Sequence, residues 1–155
     1  MQPVLRMIAL GIVLAVVAPA TPLSAQATDP IIGTWELNLA KSKYTPGPPP
    51  KSQTRTYEVA GQGIKYTLKG VDAAGKPTLA QFTANYDGND YPVTGSQNFD
   101  TIVLKRIDAF TSEHTRKKAG KVVGTGTSVV SKDGKVLTAT SKGTNAQGQP
   151  TTSVT

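Results

Sequence analysis

The sequence predicts an all-β domain, an antiparallel up-and-down meander that closes into a barrel of about eight to nine strands. Apolar and polar residues alternate with a period of two along several short runs, as they do in half-buried strands. Those runs are rich in threonine, valine and aromatic residues, which favour extended backbone. Turns bearing glycine separate them, which makes consecutive strands antiparallel neighbours.

The chain opens with a segment of different character. Arg6 supplies a positive start, residues 7–18 form an apolar run, and residues 19–27 are small and proline-containing, the composition of a secretory signal. Pro19 and Pro22 interrupt the run before the roughly 20 apolar residues a membrane span needs. Two sites suit a signal peptidase, after Ala25 and after Ala27, the first preferred. The expected organisation is therefore a signal peptide over residues 1–25 and a single domain over 26–155, secreted or periplasmic, with no transmembrane anchor after processing.

The first strand begins at Gly33, with Trp35, Leu37 and Leu39 on one face and Thr34, Glu36 and Asn38 on the other. Residues 44–51 carry four prolines. They cannot serve as a central strand and are expected to run as a stiff connector or as a lid over one barrel end. Arg55, Tyr57 and Val59 share one phase, and Ile64, Tyr66 and Leu68 alternate with lysines and Thr67. Ala80, Phe82, Ala84 and Tyr86 follow, then Ile102, Leu104 and Arg106, then runs over residues 121–131 and 135–144. Turns are expected at residues 61–63, 72–75, 87–90, 119–120, 133–134 and 147–148, where Gly, Asp and Asn supply the needed backbone angles. A flat meander of this length leaves two open edges, and curling removes them.

Cysteine is absent, so the fold rests on packing rather than disulfides, and thiolate metal sites and cysteine nucleophiles are excluded. No lipid-attachment cysteine stands near either cleavage site. Removing residues 1–25 takes away Arg6 and no acid, which lowers the net charge from +7 to +6. The lysines are spread along the chain, and aromatics make up only 6% of it. Nucleic-acid binding wants basic residues interleaved with exposed aromatics on one surface, and that reading is set aside. A basic exterior also suits an anionic envelope surface.

No strong catalytic or metal motif occurs. His114 is the lone histidine, without metal-ligand spacing, and reads as a strand or surface residue. Gly124-Thr125-Gly126 lacks the lysine and following helix of a phosphate loop. An enzyme would require Asp108, Glu113 and His114 to converge. No cofactor, metal or catalytic residue is expected.

Gly33-Thr34-Trp35, ahead of a meander and behind a signal segment, resembles the opening of the calycins: lipocalins, fatty-acid-binding proteins and avidins. Asn85-Tyr86-Asp87 is faintly similar to a second lipocalin motif. Asp29-Pro30, Lys41-Ser42-Lys43 and Lys132-Asp133-Gly134-Lys135 are similar to segments of small exported bacterial proteins. The calycin resemblance implies a lipocalin-like barrel closed at its base by Gly33 and Trp35, around a small apolar or amphipathic ligand. Tyr57, Tyr66, Phe82, Leu104 and Arg106 are then the candidate ligand-binding residues. The resemblance also implies an arginine stacked on Trp35, for which Arg106 is the first choice and Arg116 the second. Two other uses of an inward arginine stay open, an anchor for a ligand carboxylate and a strand-end cation reaching water.

The interior is either filled by aromatic side chains or left partly hollow by Ala84, Gly124, Gly126 and Ala139. The leading expectation is a monomeric, non-catalytic, exported binding protein. Its alternatives are an envelope-associated interaction module with a basic surface and, last, an enzyme.

Overall fold

The computed structural model describes residues 29–145 and 148–155. The signal segment with both cleavage sites, and Gln147 of the last expected turn, lie outside the described residues. Among the described residues eleven strands form, in chain order β1 Gly33–Glu36, β2 Lys43–Thr45, β3 Ser52–Ala60, β4 Gly63–Val71, β5 Pro77–Ala84, β6 Asp87–Pro92, β7 Thr101–Arg106, β8 Thr111–Lys118, β9 Lys121–Val130, β10 Leu137–Thr144 and β11 Pro150–Val154. One short 3-10 turn, Leu39–Lys41, joins β1 to β2. No helix among the described residues is long and apolar enough to cross a membrane.

The strands make two antiparallel sheets. The smaller has the order β1-β3-β4-β5 and the larger β2-β11-β10-β9-β8-β7-β6. Chain neighbours pair along most of this path, as short turns demand, so the meander is real from β3 to β5 and from β6 to β11. Its two ends cross over. β1 pairs with β3, while β2 pairs with β11 at the far edge of the other sheet. A single bridge, Gln81 to Thr94, links the sheets at the β5 side through reciprocal 2.9 Å backbone hydrogen bonds. At the other side Arg55 Nη2 of β3 donates to Thr155 Oγ1, 3.0 Å away. No continuous ladder among the described residues runs around both sheets.

Several expectations need correction. The strands among the described residues number eleven rather than eight or nine because the first run breaks after Glu36, and because residues 87–90 extend instead of turning. There Asp87 Oδ1 accepts from Asn89 N, and Gly88 takes a positive φ of 81°. The Asx turn is thus absorbed as a bulge at the start of β6, where the register shifts. Leu39 leaves the Trp35 face, since Asn38 caps a 3-10 turn and Leu39 is exposed. Tyr44 belongs to β2 rather than to the proline connector, because β11 offers a free edge to its backbone. Val59 is 65% exposed despite its phase, as it lies past Tyr57, the last residue that β1 covers.

The core gathers Tyr57, Ile64, Tyr66, Ala80 and Ala84 from the small sheet with Ile102, Leu104 and Val130 from the large one. Ile31, before the first strand, is just as deeply buried, 3% exposed. Asp29 folds this entry segment back by accepting from Ile31 N through Oδ1 and from Ile32 N through its carbonyl. Trp35 then locks it, its Nε1 donating to Ile31 O at 2.9 Å.

Candidate functional site: a cavity with two unlike walls

A cavity of about 640 Å³ lies between the sheets, lined from both. On the small sheet the register places Tyr57 opposite Tyr66 and Tyr66 opposite Phe82. Their rings meet in succession, with centroids 5.0 Å apart for the first pair and 4.7 Å for the second. Leu68 and Ala80 extend this apolar wall. Period two is the cause, since each wall residue sits two positions from the next on its strand.

The facing wall is polar. Along β8, Ser112, His114 and Arg116 point into the cavity, while Glu113 between them is exposed on the other face. Ser128, Ser141 and Ser153 from the following strands join them. Pairing sets two rows across this sheet. Leu104, His114, Gly126 and Ser141 form one, and Ile102, Arg116, Gly124 and Gly143 form the next.

The glycines make room for the long side chains. A Cβ on Gly126 would lie 2.6 Å from His114 Cε1, and one on Gly124 would lie 2.7 Å from Arg116 Nη2. With Gly126 bare, the imidazole spans β9 until its Nε2 comes 3.4 Å from Ser141 Oγ. The same bareness lets the guanidinium of Arg116 lie across Gly124.

Charge in this space is one-sided. Arg55, Arg116 and, from the exposed β4–β5 turn, Lys76 line it, and among the described residues the one acid in the lining is Asp72, whose Oδ1 accepts from the backbone N of Lys76. Arg55 is held by Gln53 Oε1 and Thr155 Oγ1. Arg116 has only the Phe99 ring, 5.7 Å from its Cζ, and its buried Nε has no hydrogen-bond partner. Burial pulls the Arg116 pKa down, with Arg55 acting in the same direction and Tyr66 against it. Burial, then Arg116 and Arg55, lower His114 to about 4, so it is neutral at neutral pH. Burial likewise raises Tyr57 and Tyr66, and their hydroxyls stay protonated.

Of the residues the sequence nominates, Tyr57, Tyr66, Phe82 and Leu104 line the cavity. Arg106 does not. It pairs with Asp29 through Nη1 and Nη2 and lies 3.7 Å above the Tyr86 ring. The expected stacking on Trp35 is therefore replaced by stacking on Tyr86, because the Asp29 carboxylate draws the guanidinium to the entry segment. Arg116 does not take that place either, since it lies beside Phe99.

Gly33 is exposed with a φ of 141°. Trp35 is half-buried and faces a separate groove with Leu37 and Leu137. Asp108 and Glu113 are exposed and do not meet His114. His114 itself is an interior residue rather than a surface one. Among the described residues no group of acids and histidines is placed to hold a metal ion. In comparison with known proteins, no family model, no curated protein and no solved structure matches this chain.

Proposed function

We propose that this chain is an exported, monomeric, non-catalytic binding protein whose two sheets act as the halves of a lipocalin-like barrel around a small apolar or amphipathic ligand. The observation that carries the reading is the cavity of about 640 Å³ with an aromatic wall of Tyr57, Tyr66 and Phe82. Ligand pockets are commonly of this size and mostly apolar, with a few convergent polar groups. A side-chain-filled interior would leave no such space. Gly33 and Trp35 frame the entry to the first strand, which agrees with the calycin-like opening although no arginine stacks on the indole.

The basic exterior keeps the envelope-associated reading as an alternative, but it draws on spread-out charge alone. The test is uptake of a neutral environment-sensitive dye such as Nile red by the purified protein. Saturable one-to-one uptake with a blue shift, competed by unlabelled long-chain alcohol, is the expected result. A folded protein that takes up neither dye nor alcohol would end the reading.

A further inference from the structure

We propose that the cavity selects amphiphiles bearing a single oxyanion head group, with Arg116 as the residue that receives the head. The inference rests on the binding reading above and deepens it by naming the ligand class.

Among the described residues the other cations in or near this space are placed differently, and Lys76 lines it from the exposed β4–β5 turn. Arg106 is neutralised by Asp29, and Arg55 is held through Nε and Nη2 by Gln53 and Thr155. Arg116 faces the space with neither a hydrogen bond nor an ion pair among the described residues, and its Nε is buried. An unpaired guanidinium out of water is costly, and five donors in a rigid fork match an oxyanion geometrically. A carboxylate could have satisfied it from within the chain, yet the sole acid in the lining, Asp72, is engaged with the backbone of the β4–β5 turn.

The surroundings are cut to fit this cation. Its cross-strand neighbour is Gly124, and the next residue in that row is Gly143, so the floor beneath the guanidinium has no side chains. On the same strand His114, neutral and beside Ser141, offers a polar neighbour without adding charge. Opposite stand the apolar faces of Tyr66, Phe82 and Leu68, where a chain or ring can be buried. A buried, unpartnered guanidinium facing an apolar wall suits an amphiphile with an anionic head rather than a neutral lipid.

The experiment is calorimetric titration of the purified protein, at submicellar concentration and neutral pH, with laurate, dodecyl phosphate and 1-dodecanol. Either anion binding about 10-fold or more tightly than the alcohol supports the inference, and the tighter of the two identifies the head group. Arg116→Met keeps the side-chain bulk. It is expected to bring anion and alcohol within about 2-fold of each other, chiefly by weakening the anion. Should that variant fail to fold, the Nε–H resonance of Arg116 in the unaltered protein is expected to shift with laurate and not with dodecanol.

Equal affinity for anion and alcohol, or an Arg116 resonance indifferent to laurate, overturns the head-group assignment and leaves the cavity reading standing. Binding of none of the three overturns both.

Discussion

At the scale of single residues, the most exposed wager is His114. Its pKa is held near 4, against 6.5 for the free side chain, by burial and by the positive charge of Arg116 and Arg55. The unfolded chain therefore binds the extra proton between about pH 6.5 and pH 4 while the folded one does not. Stability rises with pH over that window and falls on acidification, by on the order of 3 kcal/mol in all. Urea unfolding at a series of pH values should show this slope, and His114→Gln should flatten it.

The Asp29–Arg106–Tyr86 cluster makes a second prediction. Arg106→Ala is expected to cost about 1–3 kcal/mol, from a charged hydrogen-bonded pair and a cation–π contact. Equilibrium unfolding checks it, and a loss below measurement error would show that the clasp is ornamental. The ion pair joins residues 77 positions apart, which is why no reading of local pattern links them. By contrast, Tyr57, Tyr66 and Phe82 were legible because period two places them on one face and their chain neighbours are polar, Thr56, Glu58, Lys65, Thr67, Gln81 and Thr83.

Elements were legible where alternation was clean and obscured where an inner face is polar. Phase assigns the apolar side of a strand to the interior, and on β8 that side does not exist: Ser112, His114 and Arg116 point in, and Glu113 points out. A signal was nonetheless present. Gly124 and Gly126 repeat at the strand period on β9, two positions apart like Arg116 and His114 on β8, and bare positions opposite long side chains mark a place where those side chains lie flat.

Gly126→Ala tests this packing. The added methyl would meet the Thr140 carbonyl oxygen as well as the imidazole, and overpacking of this kind costs about 1–3 kcal/mol. A shift in the denaturation midpoint of the expected sign, together with a perturbed His114 ring resonance, is the outcome. No change in either would mean that β9 yields freely. The start of β6 is the opposite lesson, since Asp87-Gly88-Asn89 carries turn chemistry that the strand absorbed as a bulge rather than a reversal.

For the whole molecule, the all-β class and the antiparallel meander followed from turn spacing, whereas the crossing of its ends did not. A three-residue strand such as β2 has too little pattern to announce its partner, and its pairing with β11 depends on which edge is left open. The two sheets meet at β5 and β6 through one reciprocal pair of hydrogen bonds, Gln81 with Thr94. That seam is expected to open locally before the sheets melt. Hydrogen exchange should find the Gln81 and Thr94 amides less protected than those of Tyr66 and Leu104 in the paired centres, and uniform protection would argue for a sturdier junction.

The place of β11 between β10 and β2 reaches beyond packing. β2 has no template until residues 150–154 exist, so its place at the edge of the larger sheet waits for β11. Contacts of such long span are slow to form. One rim of the larger sheet therefore stays unzipped until β11 has been made, and β11 then acts as its fastener.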